Sequence, residues 1–84
     1  MAQVTVHYRA ALAEMTGKTE ETIEAATVRD VLAYIKKIYG AQAHQAAKRM
    51  LIAVNNDSIQ LHKGFDTKLD HGMAVRFMPI CGGG

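Results

Sequence analysis

The stretch Thr27–Gly40, "TVRDVLAYIKKIYG", constrains the fold more than any other segment of the chain. Val28, Val31, Leu32, Ile35 and Ile38 or Tyr39 recur at the spacing that lines one helical face, which predicts an amphipathic helix with an apolar stripe to bury. Its ends carry their own signals. Thr27 is placed to cap the first turn, Asp30 three residues on resembles a capping box with Asp in place of the usual Glu, and Gly40 stands where a left-handed C-terminal residue is wanted. Strands are read both earlier and later in the chain, so this helix must cover one face of a sheet assembled from both ends of the chain.

The first of those strands is "QVTVHYRA", where Val4, Val6 and Tyr8 alternate with Thr5, His7 and Arg9 at the period of a half-buried strand. In "AEMTGKTEETIEA", Gly17 is the turn residue and Thr19 to Ala25 the antiparallel return, polar enough to be an edge strand. "AQAHQAAKRM" is alanine-rich and predicts a short second helix. "MLIAVNNDSIQL" reads as a strand, a turn at Asn55-Asn56 and a short strand carrying Ile59 and Leu61; "HKGFDTKLDHG" reads as loop. "MAVRFMPI" alternates again through Ala74 or Val75 and Phe77 as a final strand. If the first and last strands lie parallel at the centre, the architecture is an α+β β-grasp: a mixed sheet of about five strands packed on one main helix.

Composition bounds what such a chain does. Eighty-four residues make one domain, small enough that folding hides only about 60% of the unfolded chain's surface. A 49% share of hydrophobic residues beside 21% charged ones is globular rather than disordered. A single cysteine forms no internal bridge, and no apolar run reaches the length that crosses a bilayer. A basic, then apolar leader is missing from "MAQVTVHYRA". The expectation is a cytoplasmic protein that is not membrane-bound. The net charge of +2 comes from dispersed basic residues without aromatic interleaving, which argues against nucleic acid as a partner. His7, His44, His62 and His71 are too widely separated for zinc spacing, so no metal is expected. No nucleophile triad, phosphate loop or carboxylate pair is present in the pattern, and the chain does not read as an enzyme by itself.

The last nine residues, "RFMPICGGG", are the least expected of a compact domain: the only proline, the only cysteine, then three glycines. The reading divides the chain into a folded unit at 1–80 and a flexible tail at 81–84. Together with that ending, several segments carry a resemblance. "VHYRAALAEMTG" is similar to the opening strand and loop of the small subunit of molybdopterin synthase (MoaD). "TVRDVLAYIKKIYG" resembles that family's helix, "LIAVNND" its hairpin, and "LDHGMAVRFMPICGGG" its closing run of leucine, turn glycine, strand, proline and glycine pair. The thiamine-pathway carrier ThiS is similar in plan but usually shorter. The resemblance spans nearly the whole chain, in order.

What it implies is a ubiquitin-like sulfur carrier whose terminal glycine carboxylate reacts. Gly84, with Gly83, would then be the reacting end, and Arg76, Phe77, Met78, Pro79, Ile80, Cys81 and Gly82 the surface and stalk that meet a partner. The implied partners are a MoaE-like large synthase subunit, a MoeB-like adenylating enzyme and a persulfide sulfur donor. No cofactor is held permanently, ATP being used by the activating partner. The implied task is donation of sulfur to a pterin precursor in molybdenum or tungsten cofactor biosynthesis. A carrier for another sulfur pathway, a ubiquitin-like modifier joined to lysines and a plain interaction domain remain open alternatives.

The chemistry behind this implication is general. A carboxylate with a pKa of roughly 3.3 to 3.7 is an anion at neutral pH and resists sulfur nucleophiles until activated. Glycines lack a Cβ, so Gly82, Gly83 and Gly84 suit entry into a narrow channel. Three departures from the family pattern stand out: Met78-Pro79 replaces two prolines, Ala13-Glu14 replaces an Arg-Glu pair, and Gly84 extends one residue past the usual glycine pair. That extra residue displaces the carboxylate by about 3.5 Å; direct use of Gly84 is the expectation, with its removal before activation as the alternative. Cys81 reads as a small spacer, with sulfur exchange as the competing reading.

Overall fold

The computed structural model describes residues 1–80. Its elements are β1 (Ala2–His7), α1 (Ala10–Thr16), β2 (Glu20–Ala25), α2 (Val28–Tyr39), α3 (Ala41–Lys48), β3 (Leu51–Val54), β4 (Asp57–Ser58) and β5 (Ala74–Met78), with short 3₁₀ turns at Ile59–Leu61 and Gly64–Asp66. The sheet order is β2-β1-β5-β3-β4. β1 and β5 run parallel, with Val6 opposite Val75 and His7 opposite Arg76, while β2, β3 and β4 pair antiparallel to their neighbours. This is the β-grasp arrangement expected from the strand order.

One face of the sheet is apolar. Val4, Val6, Ile23, Ile52, Val54, Val75 and Phe77 point inward and meet Val28, Val31, Leu32 and Ile35 of α2, so the stripe read from the sequence is the stripe that is buried. Each such side chain contributes about 1.5–3 kcal/mol of hydrophobic stabilisation relative to exposure. At the end of the stripe the sequence left Ile38 or Tyr39 open. Ile38 is exposed and Tyr39 packs against the core. The capping box is present in both directions: Thr27 Oγ1 accepts from the Asp30 backbone N–H, and Asp30 Oδ2 accepts from the Thr27 N–H.

Two segments differ from expectation. Ala10–Thr16, read with the opening loop, forms α1, which ends at the left-handed Gly17 and buries Leu12 completely. One buried leucine on a seven-residue helix leaves too short a period to read. The strand expected at Ile59 and Leu61 is a 3₁₀ turn started by Ser58, whose side chain accepts from the Gln60 N–H. There β4 stops at Ser58, and Ile59 is buried while Leu61 stays exposed.

Candidate functional site at the end of the last strand

β5 is the central strand and delivers the chain to Pro79 and Ile80. Because β1 runs parallel to it, both strands end at the same margin of the sheet, where β1 gives way to Tyr8 and Arg9. The residues expected to meet a partner divide by face. Val75 and Phe77 point into the core; Arg76 and Met78 lie half-buried on the other face. Met78 stands opposite the exposed Leu51 of β3. Pro79 and Ile80 are exposed, Ile80 at 66%. Cys81, Gly82, Gly83 and Gly84 lie outside the described residues.

Phe77 needs a correction of role. Its ring is wholly buried and stacks against Tyr8 at a centroid distance of 6.3 Å and an interplanar angle of 23°. It has no surface to present to a partner, so the apolar contact area falls to Met78, Ile80 and Leu51. Alternation dictates this: the residue two before Phe77 on β5 is the core residue Val75.

Tyr8 is held in turn by a carboxylate. Glu21 on β2 accepts from the hydroxyls of Tyr8 (2.6 Å), Tyr39 (2.6 Å) and Tyr34 (3.0 Å) and from Lys18 Nζ (3.3 Å). Burial works to raise the Glu21 carboxyl, but the hydrogen bonds from Tyr39, Tyr8, Tyr34 and Lys18 together hold it below its usual range. Burial, and then the bond to Glu21, push Tyr8 well above the usual phenol range. Tyr39 moves the same way for the same reasons. The last core residue of β5 is thus backed by a locked ring.

Arg76 is also fixed. Its Nη1 donates to the Asn55 carbonyl at 2.9 Å, and Asn55 meets β5 twice more, through its N–H to the Ala74 carbonyl (2.7 Å) and its side-chain oxygen from the Ala74 N–H (3.0 Å). Asn55 sits at φ +55°, a conformation asparagine tolerates better than most residues. The sequence marked Asn55 only as a turn residue; its service to β5 depends on a strand register that no local pattern contains. Beside Pro79 a cleft is lined by His7, Tyr8, Arg9, Ala13 and Glu20, with His7 Nδ1 3.9 Å from Glu20 Oε1. These residues entered the sequence reading as strand or loop positions.

The residues that continue β5 to the end of the described chain carry no free ionisable group. Met78, Pro79 and Ile80 carry no ionisable side chain, and Arg76 is engaged with Asn55. Among the described residues, no three His, Cys, Asp or Glu side chains gather as a metal would require, and no helix is long and apolar enough to cross a membrane. What the margin provides is a strand end and an apolar contact surface, with the ionisable His7, Arg9 and Glu20 in the cleft beside Pro79.

A parallel central pair with its C-terminal end displayed in this way defines a ubiquitin-like β-grasp protein. Residues 6–84 match the model of the ThiS family, and the chain belongs to that family of sulfur carriers. Solved structures agree. The chain is similar to the small archaeal modifier protein 1 from Methanosarcina acetivorans, at 25% identity and a TM-score of 0.87, covering 100% of this chain and 98% of that one. It is similar to a protein from Pyrococcus furiosus provisionally assigned as molybdopterin converting factor subunit 1, at 29% identity and a TM-score of 0.70, over 94% and 98% of the two chains. CysO from Mycobacterium tuberculosis shares the fold at 20% identity, a TM-score of 0.79 and coverage of 90% and 97%. A comparison with curated protein sequences gives no match.

Proposed function

We propose that this chain carries sulfur as a thiocarboxylate on Gly84, as the small subunit of a molybdopterin synthase. The observation that supports it most is the family match over residues 6–84, joined to a central strand that presents Pro79 and Ile80 at an exposed margin. In this reading the terminal carboxylate attacks the α-phosphate of ATP on a MoeB-like enzyme and displaces pyrophosphate. Sulfide then displaces AMP to leave the thiocarboxylate. Where the donor is a persulfide, it forms an acyl disulfide, and a second donor thiol cleaves the S–S bond to release the same product. A MoaE-like subunit takes up the tail, and the sulfur passes to a pterin precursor for molybdenum or tungsten. The similarity to a protein provisionally assigned as a molybdopterin converting factor subunit supports this pathway.

The similarity to a small archaeal modifier protein favours a second reading, in which the same activated glycine is joined to a lysine of a target. Intact mass after incubation with an adenylating enzyme, ATP and a sulfur donor separates the two. Replacement of one oxygen by sulfur is expected; an unchanged mass with demonstrably active enzyme refutes the carrier reading. Target-linked ladders that vanish without Gly84 favour the modifier. Removing Gly83 and Gly84 is expected to abolish sulfur transfer while leaving the unfolding transition in place, because among the described residues the buried core ends at Phe77 and glycine brings no side chain to it.

A further inference from the structure

On the helical side of the domain, away from the outer sheet face that bears Arg76 and Met78, α2 and α3 enclose a cleft of about 260 Å³. Arg29, Lys36, His44 and Lys48 surround it, and Leu32 and Phe65 form its floor. Lys36 and Lys48 take no part in the ion pairs of the described residues; Arg29 is partly neutralised by Asp66 at 2.9 Å and leans over the Phe65 ring at 5.9 Å. Partial burial and then the charges of Lys48 and Lys36 hold His44 below its ordinary value. Lys48 and Phe65 also line a second, apolar cleft of about 300 Å³ that continues past Met50 and Ile59 to Ile80, where the described chain ends.

We propose that this trench, made of two adjoining clefts that share Lys48 and Phe65, apolar at Ile80 and cationic between α2 and α3, docks a segment of the activating enzyme that carries aliphatic side chains followed by carboxylates. Unpaired lysines over an apolar floor complement that pattern: carboxylates neutralise Lys36 and Lys48 while the aliphatic groups cover Met50, Ile59 and Ile80. A nucleic acid backbone would satisfy the lysines but leave the apolar length uncovered, and Arg29 already occupies the Phe65 ring. The choice of partner rests on the carrier reading; the docking surface rests on the trench alone.

The test measures binding of the full-length chain to its purified adenylating enzyme by calorimetry, alongside ATP-dependent adenylate formation. Lys36→Glu/Lys48→Glu is expected to raise Kd by about tenfold, with kcat for adenylation unchanged at saturation. Lys63→Glu/Lys68→Glu, an equal change of charge on a different cleft, is expected to leave Kd within about twofold, since exposed charges away from an interface contribute little. Circular dichroism checks the fold, and Lys36→Arg/Lys48→Arg is expected to bind like the parent. Equal Kd values for the two Glu variants overturn the surface and leave the carrier reading standing. Tight, lysine-dependent binding without any thiocarboxylate formed overturns the carrier reading and leaves the surface standing. Binding of a single-stranded RNA through the same lysines, with none to the enzyme, overturns the protein partner.

Discussion

The Tyr8 hydroxyl donates to Glu21 at 2.6 Å while the Tyr8 ring stacks on Phe77, so one tyrosine joins an edge-strand carboxylate to the last core residue of the central strand. Tyr34 and Tyr39 of α2 reach the same carboxylate. The edge strand, the first strand and the main helix therefore share one anchoring group, with a side chain only 10% exposed.

Replacing Glu21 with Ala removes the acceptor from three phenols at once. A loss of about 2 kcal/mol or more is expected, from the worth of hydrogen bonds to a charged group and the cost of orphaned donors. In a domain this small that lowers Tm by roughly 10 °C. A thermal scan showing no change would mean that solvent replaces Glu21 without loss.

The same cluster sets a pH window. The carboxyl of Glu21 is held below its usual range, so its contribution is present above the unfolded value of about 4.3 and is lost as pH falls through the folded one. Tyr8 and Tyr39 are raised, so theirs is present below about pH 10 and declines as pH rises beyond it. Urea unfolding across a pH series is expected to show a plateau between those limits, and Glu21→Gln to flatten the acid slope.

Phe77 and Ile80 are three residues apart and are expected to behave oppositely. Phe77→Ala opens a cavity in the centre of the sheet and is expected to cost about 3–5 kcal/mol. Ile80→Ala, at an exposed position, is expected to stay within about 0.5 kcal/mol in stability. Chemical denaturation of both variants checks the division between core and contact surface.

Asn55→Ala deletes the side-chain acceptor for Ala74 and leaves a Cβ residue at positive φ. A loss of about 1–2 kcal/mol is expected. Asn55→Gly, which relieves the backbone but not the hydrogen bond, is expected to fall between. Equal stability of all three proteins would place the register of β5 in the hand of packing alone.

Legibility in the sequence followed periodicity and length. Twelve residues of α2 with a complete cap declare their buried face, and β1 and β5 alternate long enough to be read. α1 escaped because seven residues with one buried leucine hold less than two turns of pattern. The turn at Ile59–Leu61 escaped because Ile and Leu two apart look like a strand, while Ser58 starts a 3₁₀ turn there. At the site, Pro79 and Ile80 were visible as the end of a strand. The support behind them was not, since Tyr8 with Phe77, Arg76 with Asn55 and Met78 with Leu51 meet only through pairings between distant segments. The basic cleft was likewise spread over three segments, where each lysine alone reads as solvated charge.

The parallel alignment of β1 and β5 also decides how the domain meets mechanical force. Tension applied between the amino terminus and Ile80 runs lengthwise along both strands, loading the hydrogen bonds of the β1–β5 ladder in shear rather than opening them one after another. An ATP-driven unfoldase drawing on the carboxy-terminal end would have to pull the central strand out between β1 and β3 before anything else yields. Threading from that end is therefore resisted by the ladders on both sides of β5.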